Sequence, residues 1–266
     1  MPGFPSVLVD FLSRQKLETL RVEFLRGISL SVFLGFLTAP RALSLMSVSV
    51  SVQSPLRQNT RAPPLHNVST LDTLILDTGT NFVDEILVAP QPKLCLANLR
   101  HLSIVAHEET SNRIISCVAS TLVTLRIRFL GALETTLSTR FELESSLPFL
   151  RSVRFSLDRR GVPFSNWIPA ILPFLSPSIS LALSEIAIGY WPTQRRPSAE
   201  DLAPVDVAVA THPASPQITY RPCFFADQGN DVVRHEAVVR EGMSRAGESE
   251  RLFIEADIYD SGVVPG

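Results

Sequence analysis

The stretch that decides the fold is LANLRHLSIVAHEETSNRIISCVASTLVTLRIRF, residues 96–129. Leu99, Leu102 and Ile104 follow a simple spacing: apolar, two spacers, apolar, one spacer, apolar. The same spacing returns from Leu122 onwards. Between the two, the segment 111–120 opens on serine, a residue that caps helix N-termini. This stretch therefore predicts a strand, a helix and a second strand.

The apolar triplet occurs seven times along the chain. The triplets are Leu17-Leu20-Val22, Leu43-Met46-Val48, Leu71-Leu74-Leu76, Leu99-Leu102-Ile104, Leu122-Leu125-Ile127, Leu150-Val153-Phe155 and Leu183-Ile186-Ile188. Segments 5–15, 29–38, 81–89, 111–120 and 166–175 lie between them and look helical. Leucine-rich repeats have a strand of this pattern every 20 to 29 residues or so. We therefore expect an α/β leucine-rich-repeat-like solenoid of about seven divergent strand-helix repeats with a C-terminal cap.

A (β/α)8 barrel is the competing fold, because its units have a similar length. Barrel strands, however, tend to be continuous apolar runs, whereas here polar spacers such as Arg126 and Arg154 interrupt the strands. The solenoid is therefore favoured. The repeats are divergent, because the position three after each triplet lacks the usual asparagine or cysteine. Those positions hold Leu25, Ser51, Gly79, His107, Leu130, Asp158 and Trp191.

Composition divides the chain into three parts. Residues 1–191 are predicted to form the solenoid, and the proline-dense residues 192–222 a linker or loop, since proline disfavours both helix and strand interiors. Residues 223–266 are predicted to form a cap with a helix over Asn230–Arg245 and a strand over Leu252–Tyr259. The helix would be amphipathic, with its apolar side formed by Val232, Val233, Val239 and Met243.

Charge and cysteine content limit the partners and the cellular compartment that we expect for the protein. The 266 residues carry 24 basic and 26 acidic side chains, so the net charge of −2 gives no reason to expect a nucleic acid or an anionic membrane as partner. The apolar run Ile28–Ala39 is shorter than the roughly 20 residues that span a bilayer, and predicts a buried helix instead. Three scattered cysteines and no legible signal peptide predict a reducing compartment, cytoplasmic or nuclear.

Candidate catalytic groups are few. His107-Glu108 and His235-Glu236 begin like a zinc-protease motif but lack its second histidine, so we interpret them as solvated polar residues. Asp227–Asp231 predicts a turn leading into a helix cap. Cys95 and Cys117 belong to no Cys-x-x-Cys motif and are predicted to be buried. We therefore expect no enzymatic activity, no metal and no cofactor.

The spacer residues of the strands offer a candidate binding surface. Side chains alternate along a strand, so the spacers share the face opposite the core. Arg126, Arg128 and Arg154 would then be neighbours on adjacent strands, with His101 beside them. Arginines fork onto carboxylates and phosphates, so this patch is a hypothetical site for an acidic or phosphorylated segment of a protein partner; solvated spacers without a ligand are the alternative. The predicted partner-binding residues of the concave face are His101, Arg126, Arg128, Arg154, Arg21 and Asp77.

Residues 96–129 are similar to the leucine-rich-repeat half of fungal, mushroom-type F-box-like proteins. The same holds for LPFLRSVRFSLD (147–158) and WIPAILPFLSPSISLALSEIAIG (167–189), while VVREGMSRAGESERLFIEA (238–256) resembles the tail of such chains. The resemblance implies that the repeats hold a target protein. In that family an N-terminal F-box binds the Skp1 adaptor of a cullin ubiquitin ligase.

No Leu-Pro-x-Glu opening of an F-box precedes the first triplet at Leu17. The resemblance therefore implies target binding, with a Skp1-type adaptor as partner only if an F-box lies upstream. The expected function is a non-catalytic protein-protein interaction module, the target-recognition half of an F-box-type ubiquitin ligase adaptor. Two alternatives stay open: a barrel enzyme using Asp77, His107 and Asp158 at the strand ends, or an inactive fragment of a longer F-box protein.

Overall fold

The computed structural model describes residues 18–23, 28–29, 41–46, 50–51, 71–76, 96–106, 108–129, 141, 143, 145–157, 164–191, 197–225 and 229–259. Over these residues the chain is mixed α/β, with ten strands in parallel sheet and five helices. It divides into two compact units, residues 1–105 with 109–122, and residues 106–108 with 123–266. The predicted α/β class is confirmed. The helices predicted over 5–15 and 81–89 lie outside the described residues.

The first unit has its strands at β1 (Thr19–Glu23), β2 (Ile28–Ser29), β3 (Ala42–Met46), β4 (Val50–Ser51), β5 (Thr73–Leu76) and β6 (His101–Val105). β1, β3, β5 and β6 are successive parallel neighbours, and β2 pairs with β4 in a separate small sheet. Helix α1 (Glu108–Val118) follows β6. The run Ile28–Ala39, predicted as a helix, begins with strand β2, and its remaining residues lie outside the described part.

The triplet predicted at Leu43, Met46 and Val48 is wrong. Leu43 pairs in register with Leu20 and Leu74, the second members of their triplets, whereas the prediction gave that position to Met46; Leu45 pairs with Leu76. The register therefore assigns the repeated apolar positions of β3 to Leu43 and Leu45, and not to Met46. Val48 lies outside the described residues.

A repeated hydrogen-bond pattern links the start of one strand to the next. In each case one carbonyl accepts from two successive backbone amides at the start of the following strand, at N···O distances of 2.8 to 3.3 Å. The acceptors are Arg41 and Asp72 in the first unit and Val123 and Arg151 in the second, and the donors are amides 72–73, 100–101, 151–152 and 184–185. The strands therefore begin in the same way in both units.

Two hydroxyl groups form hydrogen bonds between the starts of neighbouring strands. The Thr121 hydroxyl donates to the Leu99 carbonyl at 2.7 Å, and the Ser184 hydroxyl donates to the Arg151 carbonyl at 3.1 Å. Both carbonyls belong to the turn residues that precede a strand. These bonds add side-chain donors to the backbone connections between successive strands.

The second unit has its strands at β7 (Thr124–Phe129), β8 (Ser152–Leu157), β9 (Glu185–Tyr190), β10 (Gln217–Phe225), β11 (Leu252–Ile254) and β12 (Asp257–Tyr259). β7 to β11 are parallel neighbours in chain order, and β12 also pairs with β10. The buried face consists of two rows in register, Leu125-Val153-Ile186-Ile218 and Ile127-Phe155-Ile188-Tyr220. The core of this unit therefore lies on the predicted apolar face.

Helical residues cover the buried face between β8 and β9. The helix predicted over 166–175 is confirmed as α2 (Ile168–Ile171) between the 3-10 turns Phe164–Trp167 and Leu172–Leu175. Pro169 lies in the first turn of α2, where an amide hydrogen would have no helical partner. Pro173, just after α2, has no amide hydrogen with which to continue that helix. Phe174 packs against Phe155 with ring centroids 5.7 Å apart.

The prediction that residues 192–222 form a linker or loop is wrong. They contain helix α3 (Ala199–Thr211) and most of β10, which pairs with β9 and β11. Ser198 and Asp201 form a capping box at the start of the helix, and the ring of Pro204 lies on its exposed side. Most of the prolines fall outside the helix, so their density does not prevent it.

The C-terminal segment folds onto the same sheet. Helices α4 (Gly229–Gly242) and α5 (Ser244–Glu248) replace the single predicted helix, and the predicted strand is divided into β11 and β12. Val239 and Met243 are buried as predicted, but Val233 is 71% exposed. His235, which is 1% exposed, takes the inward position instead. None of the described helices is long and apolar enough to cross a membrane.

Candidate functional site

The face of the second-unit sheet opposite the core carries mainly polar side chains. We call it the polar face. Its residues are Thr124, Arg126 and Arg128 on β7; Ser152, Arg154 and Ser156 on β8; Glu185, Ala187 and Gly189 on β9; Gln217, Thr219 and Arg221 on β10; and Phe253 on β11. The alternation that buries leucine on one side places these residues together on the other.

Two of the predicted arginines lie side by side on the polar face. Arg126 and Arg154 are paired in register on β7 and β8, and parallel neighbours are about 4.8 Å apart. Arg128 lies two positions along β7, opposite Ser156. Arg126 is exposed, whereas Arg154 is partly buried. Like charges that face each other across strands repel, so an anion between them would relieve that repulsion.

The remaining predicted binding residues are in the first unit or outside the described part. Arg21 forms an ion pair with Glu23 on the same strand. His101 Nε2 lies 3.8 Å from Asp72 Oδ2, and both side chains are partly exposed. Asp77 lies outside the described residues. So do His107 and Asp158, the other members of the set that a barrel enzyme would use.

A further arginine of the polar face, Arg221, was not predicted. Its Nη2 lies 2.8 Å from Glu255 Oε2, and the pair is partly exposed. Arg221 was missed because its segment was interpreted as a linker on account of its prolines. The alternation in ITYRPCFF, residues 218–225, is the signal that could have indicated a strand.

The size of the side chains on the polar face differs from strand to strand. On β9, between the arginines of β8 and β10, the side chains are reduced to those of Ala187 and Gly189. Ala187 is 7% exposed and is in register with Arg154. Gly189 is in register with Arg221. Long guanidinium side chains therefore lie on either side of a strand that carries almost no side-chain bulk.

The interpretation of His235 as a solvated residue is wrong. A hydrogen bond joins His235 Nε2 to the Tyr190 hydroxyl, and the ring of Phe224 lies 5.8 Å away, measured between ring centroids. Burial raises the pKa of Tyr190 well above its usual value, so the phenol stays neutral. The pair links helix α4 to β9 within the core, where its polar atoms satisfy each other.

Two more buried polar groups have structural partners. The Asp206 carboxylate accepts from the amides of Arg245 and Ala246, at 3.2 and 2.9 Å, and so caps α5 from another helix. His212 Nδ1 accepts from the amide of Ala214 at 3.2 Å, and burial lowers the pKa of this histidine. These groups stabilise the junction of α3 with its neighbours.

The prediction that Cys117 is buried is wrong. Cys117, predicted to be buried, is exposed on α1, and Cys95 lies outside the described residues. Within the described residues, no group of three or more histidine, cysteine, aspartate or glutamate side chains could hold a metal ion.

Comparison of the chain with protein-family models, curated proteins and solved structures gives no significant match.

Proposed function

We propose that the protein is a non-catalytic protein-protein interaction module built from leucine-rich-repeat-like units, and that the polar face of the second unit binds the partner. The observation that supports the proposal is the register pairing of Arg126 with Arg154. These arginines lie next to strand β9, whose side chains on the polar face are small. This arrangement combines exposed charge, regular spacing and a surface that a partner can approach.

The repeat architecture is supported by the way the strands begin. Successive strands within each unit are parallel neighbours, and the same carbonyl-to-two-amides connection recurs at their starts. Units of this kind bury their apolar rows by stacking, which leaves the other face of each strand available. Function in such a scaffold depends on the residues of that face rather than on the fold.

The chain would be the target-recognition half of an F-box-type ubiquitin ligase adaptor. This part of the proposal is supported by the resemblance of residues 96–129, 147–158, 167–189 and 238–256 to fungal F-box-like proteins. A Skp1-type adaptor would join the assembly through an F-box upstream of these repeats. The target would bind on the polar face and carry complementary negative charge.

Site-specific photo-crosslinking tests the proposal. A benzoylphenylalanine replaces Gln217, which is exposed on the polar face, and in a matched variant replaces Val207, which is exposed on helix α3. We expect the same protein to crosslink reproducibly from position 217 and not from position 207, and to form a stoichiometric complex when both proteins are purified. A partner that crosslinks from position 207 alone, or no complex between the purified proteins, would contradict the proposal.

A further inference from the structure

Two arginines on either side of β9 have a buried guanidinium nitrogen that donates no hydrogen bond to any residue that the structure describes. Within the described residues, the Nε atoms of Arg154 on β8 and Arg221 on β10 are buried and have no hydrogen-bond partner. A buried donor without a partner has lost its hydration and gained nothing in return, and the cost is larger for a charged group. Both atoms therefore favour a ligand that supplies acceptor oxygens.

The strand between the two arginines carries little side-chain bulk of its own. We call Arg154, Ala187, Gly189 and Arg221 the β9 trough. A Cβ atom at Gly189 would meet only two backbone oxygens among the described residues, those of Arg221 and Phe155, each at 3.8 Å. β8 and β10 lie about 9.6 Å apart, twice the spacing of adjacent strands. A ligand that reaches both arginines must therefore span at least that distance.

Glu255 indicates which chemistry the trough accepts. Its carboxylate lies on Arg221, and the side chains of the pair are 34% and 56% exposed. Partly exposed ion pairs contribute little to stability and can exchange partners. Glu255 is thus a carboxylate of the chain itself, bound to one end of the trough, that another carboxylate can replace.

We propose that the β9 trough binds an extended acidic segment of the partner protein. One carboxylate of that segment pairs with Arg154, and a second takes the place of Glu255 on Arg221. The Nε and Nη atoms of a guanidinium fork onto the two oxygens of a carboxylate. Arg126, in register with Arg154, adds positive charge on the same side. This inference rests on the proposed function and specifies the chemistry of its partner.

A synthetic peptide tests the chemistry of the ligand. The probe is a fluorescein-labelled decapeptide of alternating glutamate and serine, titrated with the full chain and followed by fluorescence anisotropy. We expect saturable binding that weakens as salt is added, and no binding of the same peptide with glutamine in place of glutamate. If a phosphoserine form of the glutamine peptide binds more tightly than the glutamate peptide, the ligand is a phosphate and the carboxylate assignment is wrong.

Five variants test the location. Arg154→Gln, Arg221→Gln and Gly189→Val are each expected to weaken binding at least tenfold, the last without a change of charge. Glu255→Gln is expected to tighten binding several-fold, because it removes the competing carboxylate. Arg234→Gln, which removes an exposed charge on α4, is the matched control and should bind like the parent chain.

The outcomes separate this inference from the proposed function. Circular dichroism verifies that each variant is folded, and Gly189→Ala serves if the valine variant is not. Unchanged peptide binding by Arg154→Gln and Gly189→Val, or weaker binding by Glu255→Gln, would overturn the trough. If the partner still crosslinks from position 217 in those variants, the proposed function is retained and only the β9 trough is wrong. If the partner fails to crosslink from position 217 in the parent chain, the proposed function falls as well.

Discussion

The same strands form both faces of the second-unit sheet, but the two faces differ in the residues that they carry. The core face repeats one choice, an aliphatic or aromatic side chain, at each register position from β7 to β10. The polar face varies from arginine to alanine to glycine across the same strands. Packing therefore dictates the first face, whereas the second is free of that constraint and can be specialised for binding.

The largest difference between the faces is expected in the stability of the chain. Phe155→Ala should lower the free energy of unfolding by about 3 to 5 kcal/mol, because the ring is fully buried and packs against Phe129 and Phe174. Urea unfolding followed by far-UV circular dichroism measures the change. Phe149→Ala, at a 58% exposed position just before β8, is the control and should change stability by less than about 0.5 kcal/mol. Equal losses in the two variants would contradict the assignment of the core face.

A smaller effect is expected where α4 meets α3. A Cβ atom at Gly242 would lie 2.8 Å from Leu202 Cβ and 2.9 Å from backbone atoms of Ala199. Gly242→Ala should therefore cost about 1 to 3 kcal/mol through overpacking, despite the higher helix propensity of alanine. In α5, a Cβ atom at Gly247 would meet only Leu252 Cδ2, at 3.9 Å, so Gly247→Ala should be neutral or slightly stabilising. Thermal unfolding of the two variants compares them, and a stabilised Gly242→Ala would refute the close packing.

On the polar face we expect little change in stability and a large change in binding. Replacing Arg126 and Arg154 together by glutamine removes two like charges that face each other, so stability should change by less than about 0.5 kcal/mol. Binding to the purified crosslinked partner, measured by calorimetry, should weaken at least tenfold. Arg234→Gln with Arg240→Gln removes the same charge from α4 and is the control. If the polar-face variant binds the partner with unaltered affinity, Arg126 and Arg154 do not belong to the binding site.

The smallest effect concerns pH. Burial lowers the pKa of His212, so the unfolded chain binds a proton more readily than the folded chain. Its contribution to stability is therefore present above the unfolded-state pKa of about 6.5 and is lost as the pH falls below it. His212→Asn should show a flatter dependence of stability on pH between 7.5 and 5.5 than the parent chain. A steeper dependence in the variant would contradict the sign of this shift.

The sequence predicted the elements whose apolar pattern is strong. The last two members of each triplet from Leu71 onwards lie on parallel strands, and the first member precedes the strand. Apolar residues two positions apart leave few alternative registers. The triplet at Leu43 was misplaced, since Leu45 and Met46 are both apolar and only pairing with a neighbouring strand selects one of them. A local sequence pattern does not determine the register with the neighbouring strand.

Two misinterpretations have the same physical origin. Residues 192–222 were interpreted from their prolines alone, but a capping box at Ser198 and pairing with β9 outweigh the local preference. That error hid Arg221, one of the two arginines of the β9 trough. His235 was interpreted as solvated because its motif lacks the second histidine of a metal site, yet Tyr190, distant in sequence, satisfies its ring nitrogen. In both cases the deciding contact is long-range.

Arginine side-chain NMR tests the central claim most directly, because each Nε–H group gives a signal of its own. With the chain labelled with nitrogen-15 and titrated with the purified partner, the account predicts that the Nε–H signals of Arg154 and Arg221 shift and become protected from exchange with water, whereas those of Arg234 and Arg240 stay unchanged. If the α4 signals shift while those of Arg154 and Arg221 stay fixed, the partner binds elsewhere and the polar face is not the binding surface.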